Sequence, residues 1–522
     1  MGRRVLGIWA GSALLGATLV LPATGRYGLA LTPDSGVFLA AARSLRASGA
    51  LLSFDGEPFV AAPPLYPVLL SAASGLEATP PAGLRYAGAL LFAVFAALAA
   101  ALLTRIGHRT GAGGTGAFLP AVAGILALLL CKPLVELSSS LWSETLFLPL
   151  LAGFLLAATS WPARGPTPLP GLLGAALLAS ALALTRYPGV AAAGAGTILL
   201  LLRPAPLRTR VRECAVFAAV SLGPISTWLL RNRTVSGTWA GPRGAAGATL
   251  VQNLGALGET AIAWAGLTRL PPAAAMVVIL LVSALGAAGL IRHAPARRAV
   301  SACICFAVVY LLLMLLLAST LGFDRLDERL LSPLLLPLAA IGLASFQVPR
   351  GAAARRTVGA AALLWLTGSG LRVAAWERHA SQDGAGGFAT SAWQSSPLAR
   401  AIESAAGETS KESMLSNEPS AVYLLTSRPA RLSPRRNLYR STAAAPDDLP
   451  RLRWMIESGA PVLIAWFTTL DTPHVFRPEE LPEALTGAGA APLVLEETAK
   501  TPDGSLYRLS LTPATPAPRP SG

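Results

Sequence analysis

Charged side chains are scarce in this chain, and those beside apolar runs are where chemistry is to be sought. Asp34 follows the first apolar run, Val5 to Val20. Lys132, Glu136 and Glu144 lie between two later runs. Arg186 and Tyr187, then Arg231, Arg233 and Arg243, then Asp324, Arg325, Asp327 and Arg329 follow others. An ionisable group at a membrane boundary is costly unless it is solvated or paired. Carboxylates and cations gathered on one membrane face can build a site for an anionic, lipid-linked head group. Snorkelling anchors and solvated loop charges account for the same residues without any site. Lys132 stands apart by composition: the chain has three lysines against 39 arginines, and this is the one in the apolar part. An ammonium is a compact point charge suited to a phosphate.

The elements that must position these residues are long and apolar. Hydrophobic residues make up 53% of the chain, charged residues 13%, and the mean hydropathy is +0.55. A helix crosses the hydrocarbon core in ~20 apolar residues. Eleven candidate spans are read at 5–22, 84–104, 115–131, 143–160, 169–184, 189–202, 214–230, 273–291, 299–321, 330–347 and 357–373. With the N-terminus inside, fifteen arginines fall in inner loops beside one acid, Glu213. The other acids before residue 374 fall outside, including Asp34, Asp55, Glu57, Glu77, Glu136, Glu144, Glu259, Asp324, Asp327 and Glu328. The positive-inside rule fixes this orientation. Basic clusters at membrane ends therefore need no nucleic acid to explain them, and no nucleic-acid partner is expected.

The two longest outer loops, 23–83 and 231–272, each hold an amphipathic, helix-like segment. The chain divides into a membrane domain, 1–373, and an exported domain, 374–522. The latter carries 14 basic and 16 acidic residues and no cysteine. "SMLSN" (413–417) and "PVLIAWF" (461–467) read as strands. "PSAVYLLTS" (419–427) and "LPRLRWMIESG" (449–459) read as helices, and a closing hairpin turns at Pro502-Asp503-Gly504. A disordered, Pro-rich end follows. Cys131, Cys214, Cys303 and Cys305 all lie in or beside spans, so neither a disulfide framework nor a metal site is expected from them. Arg3-Arg4 reads as the flank of an uncleaved first span, and "LPATG" (21–25) as chance.

Several stretches together resemble the GT-C membrane glycosyltransferases, the group that includes protein O-mannosyltransferases and aminoarabinose transferases (glycosyltransferase family 39-like, bacterial branch). "PDSGVFLAAARSLRASG" from Pro33 matches a first outer loop in which an acid opens a helix. "APPLYPVLL", with Tyr66, matches the stretch before the second span, and "SSSLWSETLF" places Glu144 as a second acid opening the fourth. "LTRYPG" (184–189), "WLLRNRTVSGTWAGPR" (228–243) and "DRLDERLLSPLLLPL" (324–338) follow in family order. "SNEPSAVYLLTSRPARLSP" (416–434) resembles the family's soluble tail. Two departures stand out. Asp34 is followed by Ser35 where many members have a second acid, and Ala62 stands where aminoarabinose transferases have a lysine. No particular sugar is carried over.

The resemblance implies a polytopic all-α membrane domain of about eleven helices with an extracytoplasmic α/β domain, in a bacterial inner membrane. It implies an inverting transfer of sugar from a polyprenyl-phosphate donor to a protein, lipid or glycan acceptor. Asp34 would act as general base, and Glu144 would orient the acceptor or help Asp34 hold a divalent cation. The metal requirement is left open. Lys132, Arg186, Arg231 and Arg329 would stabilise phosphate charge. Tyr66, Tyr187, Asn232, Arg243 and Asp327 complete the expected substrate-binding set. A transporter, flippase or non-catalytic binder of lipid-linked sugars is the competing reading. A transporter would carry its charges at mid-membrane, whereas here they collect at one face.

Overall fold

Where described, the eleven apolar runs are mainly helical, as expected where no other partner exists for backbone N–H and C=O groups. In the computed structural model the described residues are 3–73, 83–110, 118–322, 324–346, 352–405, 413–437, 444–445, 448–458, 462–486 and 492–512. Glu77 and the Pro-rich end lie outside them. The first part of the chain runs α1 (Arg3–Val20), α2 (Pro33–Ser48), α3 (Leu65–Ser71), α4 (Leu84–Arg109), α5 (Phe118–Leu129), α6 (Lys132–Ser138) and α7 (Glu144–Ala158). It continues through α8 (Leu169–Thr185), α9 (Val190–Leu201), α10 (Leu207–Ser236), α11 (Leu250–Ala265) and α12 (Pro272–Arg292). Then come α13 (Ala294–Ala299), α14 (Ser301–Thr320), α15 (Glu328–Leu331), α16 (Leu335–Phe346) and α17 (Ala352–Asp383).

Five helices among the described residues are long and apolar enough to span on their own: Leu84–Arg109, Leu207–Ser236, Pro272–Arg292, Ser301–Thr320 and Glu328–Ser345. The pair Leu119–Leu129 and Lys132–Ser138, bent by 57°, makes a sixth. Glu144–Ala158, Leu169–Thr185 and Tyr187–Leu201 are apolar but shorter. Helix length alone therefore does not give eleven spans, although a helix stands at each expected position. The two amphipathic loop segments are α2 and α11.

Helix α2 is well specified locally. Pro33 opens it, Thr32 N donates to Ser35 Oγ (3.0 Å), and Gly49 closes it in the left-handed conformation. Its face of Phe38, Leu39, Ala40, Ala41 and Ala42 is buried.

The C-terminal part holds a five-stranded sheet of β1 (Ser413–Ser416), β2 (Arg431–Leu432), β3 (Val462–Phe467), β4 (Leu493–Thr501) and β5 (Gly504–Leu511), in the order β2-β1-β3-β5-β4. Strand β1 is parallel to β2 and β3, and β5 is antiparallel to β3 and β4. Helices α18 (Ser391–Gln394), α19 (Pro397–Ala405), α20 (Pro419–Thr426), α21 (Leu449–Glu457) and α22 (Leu481–Leu485) surround it. The expected strands, helices and closing hairpin are present; β2, two residues long, gives too short a pattern to read. Helix α17 is continuous from Ala352 to Asp383 and carries the chain from the bundle to the sheet.

Two hydrophobic cores matter for the site. One fills the helical bundle. The second joins Phe38, Leu39 and Tyr66 of the outer loop to Met414, Val422, Leu463 and Phe467 of the sheet domain. Segment 30–31 is laced on both sides. Ala30 N donates to Ser139 O (2.8 Å) and Leu141 N to Ala30 O (2.9 Å), while Phe388 N donates to Leu31 O (2.7 Å).

Candidate active site

Residues 295 positions apart in the chain meet where α2, α7 and α15 converge. Asp34 lies in the first turn of α2, Glu144 opens α7, and Arg329 lies in α15. Arg329 bridges the two acids: its Nε donates to Glu144 Oε1 (2.6 Å) and its Nη2 to Asp34 Oδ2. Arg186, just past α8, brings Nη1 to 2.8 Å from the same Glu144 Oε1. The Glu144 side chain has no exposed area, while that of Asp34 is 49% exposed. The two acids thus differ in character: one is an internal anchor and the other faces outward.

Burying Glu144 is tolerable only because two guanidinium groups compensate it. The Arg329 guanidinium also stacks 4.3 Å over the Trp142 ring. Trp142 Nε1 in turn donates to Thr32 Oγ1 (2.7 Å), tying the arginine shelf to the cap of α2. Arg186 Nη1 is fully buried and has no hydrogen-bond acceptor in good geometry, despite the nearby carboxylate. Its charge is matched by that carboxylate all the same. Trp142 and Thr32 were not singled out from the sequence. Trp142 sits inside the quoted "SSSLWSETLF", two residues before Glu144, and an aromatic so close to a buried acid was the available signal.

A cleft of about 360 Å3 opens beside this cluster, lined among others by Thr32, Glu136, Trp142, Asp327, Glu328 and Arg329. Asp327 also caps α15, its Oδ1 accepting from Leu330 N (2.8 Å). Lys132 pairs with Glu136 one turn along α6 (2.5 Å). Tyr66 is buried in the core shared with the sheet domain.

The remaining expected residues form a second group. Tyr187 Oη donates to Val60 O (3.0 Å), and Arg231 Nη1 to Phe59 O (2.7 Å). Asn232 Nδ2 reaches Tyr187 Oη (3.2 Å) and Trp239 O (3.0 Å), and Arg243 lies close enough to Tyr187 to act on it electrostatically. These residues pin the stretch that leads into Pro63-Pro64 and Tyr66. They act on the site through the loop they hold.

Among the described residues, no group of three or more His, Cys, Asp or Glu side chains is arranged to hold a metal ion. Between Asp34 and Glu144 the bridging position is taken by Arg329. Two carboxylates already joined by a guanidinium do not fit a divalent cation in the same place.

The fold as a whole has counterparts among solved structures. ArnT from Cupriavidus metallidurans bound to undecaprenyl phosphate superposes with a TM-score of 0.58 at 12% identity, covering 97% of this chain and 98% of that one. The same protein in the apo state gives 0.56 at 12% identity, covering 97% of each chain. The archaeal oligosaccharyltransferase AglB from Archaeoglobus fulgidus, in complex with an inhibitory peptide and a dolichol-phosphate, gives 0.48 at 12% identity over 89% of this chain and 69% of that one. No family model and no curated protein matches by sequence. The fold is that of the GT-C membrane glycosyltransferases. It consists of a polytopic helical membrane domain followed by a small α/β domain.

Proposed function

We propose that this protein is an integral-membrane glycosyltransferase that moves a sugar from a polyprenyl-phosphate donor to a hydroxyl of an extracytoplasmic acceptor, which is a protein, a lipid or a glycan. The observation that carries the reading is Arg329 bridging a half-open Asp34 to a buried Glu144. The acceptor oxygen forms a bond to the anomeric carbon as the bond from that carbon to the phosphate oxygen breaks. Attack from the opposite side inverts the configuration. The acceptor proton passes to Asp34 and the polyprenyl phosphate departs as an anion. Arg329 Nη1, which has no partner among the described residues, meets the charge growing on that phosphate, and Arg186, on the same Glu144, adds positive charge behind it. Glu144 keeps both arginines in place. The binding of undecaprenyl phosphate by ArnT supports a carrier of this chemistry. In this reading the arginines supply the positive charge, and no cation bridges Asp34 and Glu144. The N-terminus lies inside and the sheet domain outside a bacterial inner membrane.

The test is radiolabel transfer from polyprenyl-phosphate sugars by the purified chain in detergent, with and without EDTA. Transfer is expected to persist in EDTA. It is expected to fall by about 10²–10³ in Arg329→Lys, which keeps a charge but cannot reach both acids and the phosphate. A folded chain inert toward every such donor would overturn the assignment. Abolition by EDTA, with recovery on adding magnesium or manganese, would restore the metal reading.

A further inference from the structure

We propose that a cleft between α1, α4 and α7, at the membrane face opposite the Asp34–Arg329–Glu144 cluster, binds the phosphate head group of an anionic phospholipid. The cavity has a volume of about 770 Å3. It lies at the far end of α7: Glu144 opens that helix, and Leu156 lines the cleft. Twelve residues of α-helix separate the two by about 18 Å.

Four arginines converge on it, Arg3 and Arg4 from α1 and Arg105 and Arg109 from α4, with His108 beside them, and among the described residues no carboxylate lines it. Three arginines buried in the bundle do have a carboxylate partner. Arg186 and Arg329 share Glu144, and Arg203 pairs with Glu213 (3.2 Å), the one acid expected on this face. Like charges held together cost free energy until an anion joins them. Nor are the arginines simply splayed into water. Arg105 Nη1 donates to Leu156 O (3.1 Å) and Ser160 Oγ, and Arg109 Nη1 donates to Thr159 O. These carbonyls end α7, where cations are favoured. Both guanidinium groups are thereby fixed, with their other N–H groups left over.

The walls decide between a lipid and a soluble anion. Val5, Trp9, Ala101 and Leu156 give the cleft an apolar side, and Trp9 Nε1 donates to Thr104 Oγ1 (3.3 Å), which anchors the indole there. Inorganic phosphate would use the arginines alone. An acyl chain leaving a bound phosphodiester would use the wall as well. Topogenic arginines need only flank a span; they do not need a cavity or anchoring from two helices.

The full chain in detergent is titrated with phosphatidylglycerol or phosphatidylcholine carrying brominated acyl chains. Quenching at Trp9 is taken as the difference between the wild type and Trp9→Phe, since the chain has 11 tryptophans. Phosphatidylglycerol is expected to quench at a concentration about tenfold lower than phosphatidylcholine. Arg4→Gln with Arg109→Gln is expected to abolish that preference, and the paired Lys variants to keep most of it. Arg4→Gln alone, at an exposed side chain, carries the test should the double variant fail to fold. Equal quenching by both lipids, or an unchanged preference in the Gln variants, would overturn the site. Full displacement of phosphatidylglycerol by millimolar inorganic phosphate would overturn the lipid as the source of the anion.

Discussion

Glu144 and Asp34 are both carboxylates at the head of a helix, yet their surroundings give them different work. Glu144 is sealed in and held by two guanidinium groups; removing either partner leaves a buried charge, at a cost of about 3–5 kcal/mol. Asp34 is half open, and its ion pair with Arg329 contributes at most about 1 kcal/mol after solvent screening. Asp34→Asn is therefore expected to leave thermal unfolding nearly unchanged while transfer falls by about 10²–10⁴. Asp55→Asn and Glu57→Gln serve as controls. Asp55 only closes a local turn onto Glu57 N (3.2 Å), and Glu57 faces Arg451 (3.4 Å) of the sheet domain. Similar mild losses in all three variants would remove Asp34 as the base. Glu418, at the head of α20, offers a test by pH. Burial pushes its carboxyl up to about 7, against the ordinary 4.5. The unfolded chain thus loses this proton near pH 4.5 and the folded chain near 7. Stability is expected to fall as pH rises through that window. Glu418→Gln removes the drop, so its melting advantage over the wild type is expected to grow between pH 5 and pH 8. A constant difference across that range would refute the assignment.

At the scale of elements, Asp34 is placed by a latch. Segment 30–31 pairs with Ser139–Leu141 on one side and Gly386–Phe388 on the other, so the strand leading into α2 is fastened to both parts of the molecule. Gly387 makes this possible. Its φ is +58°, and a Cβ there would stand 1.8 Å from Leu31 O. Gly387→Ala is expected to lower the melting temperature and to cut transfer, although Gly387 touches no reacting group. A variant with wild-type melting and activity would show that the latch does not position α2. Helix α20 presses on the same place: a Cβ at Gly36 would meet Ser420 Cβ at 3.1 Å, and Ser420 Oγ donates to Pro33 O (3.3 Å). The sheet domain thus bears directly on the turn that carries Asp34.

For the whole molecule, the shared core of Phe38, Tyr66, Val422 and Phe467 makes the outer loop and the sheet domain one mechanical unit. The sheet domain must then lie on the same side of the membrane as Asp34. Ala392→Cys, at an exposed position in α18, tests which side that is. Labelling by a membrane-impermeant maleimide in intact cells is expected above the wild-type background, since Cys131 and Cys303 are buried and Cys214 and Cys305 half-buried. Labelling only after lysis would invert the proposed orientation and put Asp34 inside.

Much of this protein was legible in one dimension because its signals are local. Apolar runs become helices wherever lipid denies the backbone other partners, and the pattern of "SMLSN", "PVLIAWF" and the closing hairpin marks the sheet domain. The charge asymmetry and the head of α2 at Pro33-Asp34 are likewise short-range facts. What the sequence left open was pairing. Arg186, Arg231, Arg329 and Lys132 looked equivalent as phosphate binders. Folding sends Arg186 and Arg329 to Glu144, engages Lys132 with Glu136, and turns Arg231 onto a loop carbonyl. The distinction between a sealed Glu144 and an open Asp34 has the same origin. Burial and ion pairing depend on which helices converge, and residues 34, 144, 186 and 329 come together only through tertiary packing.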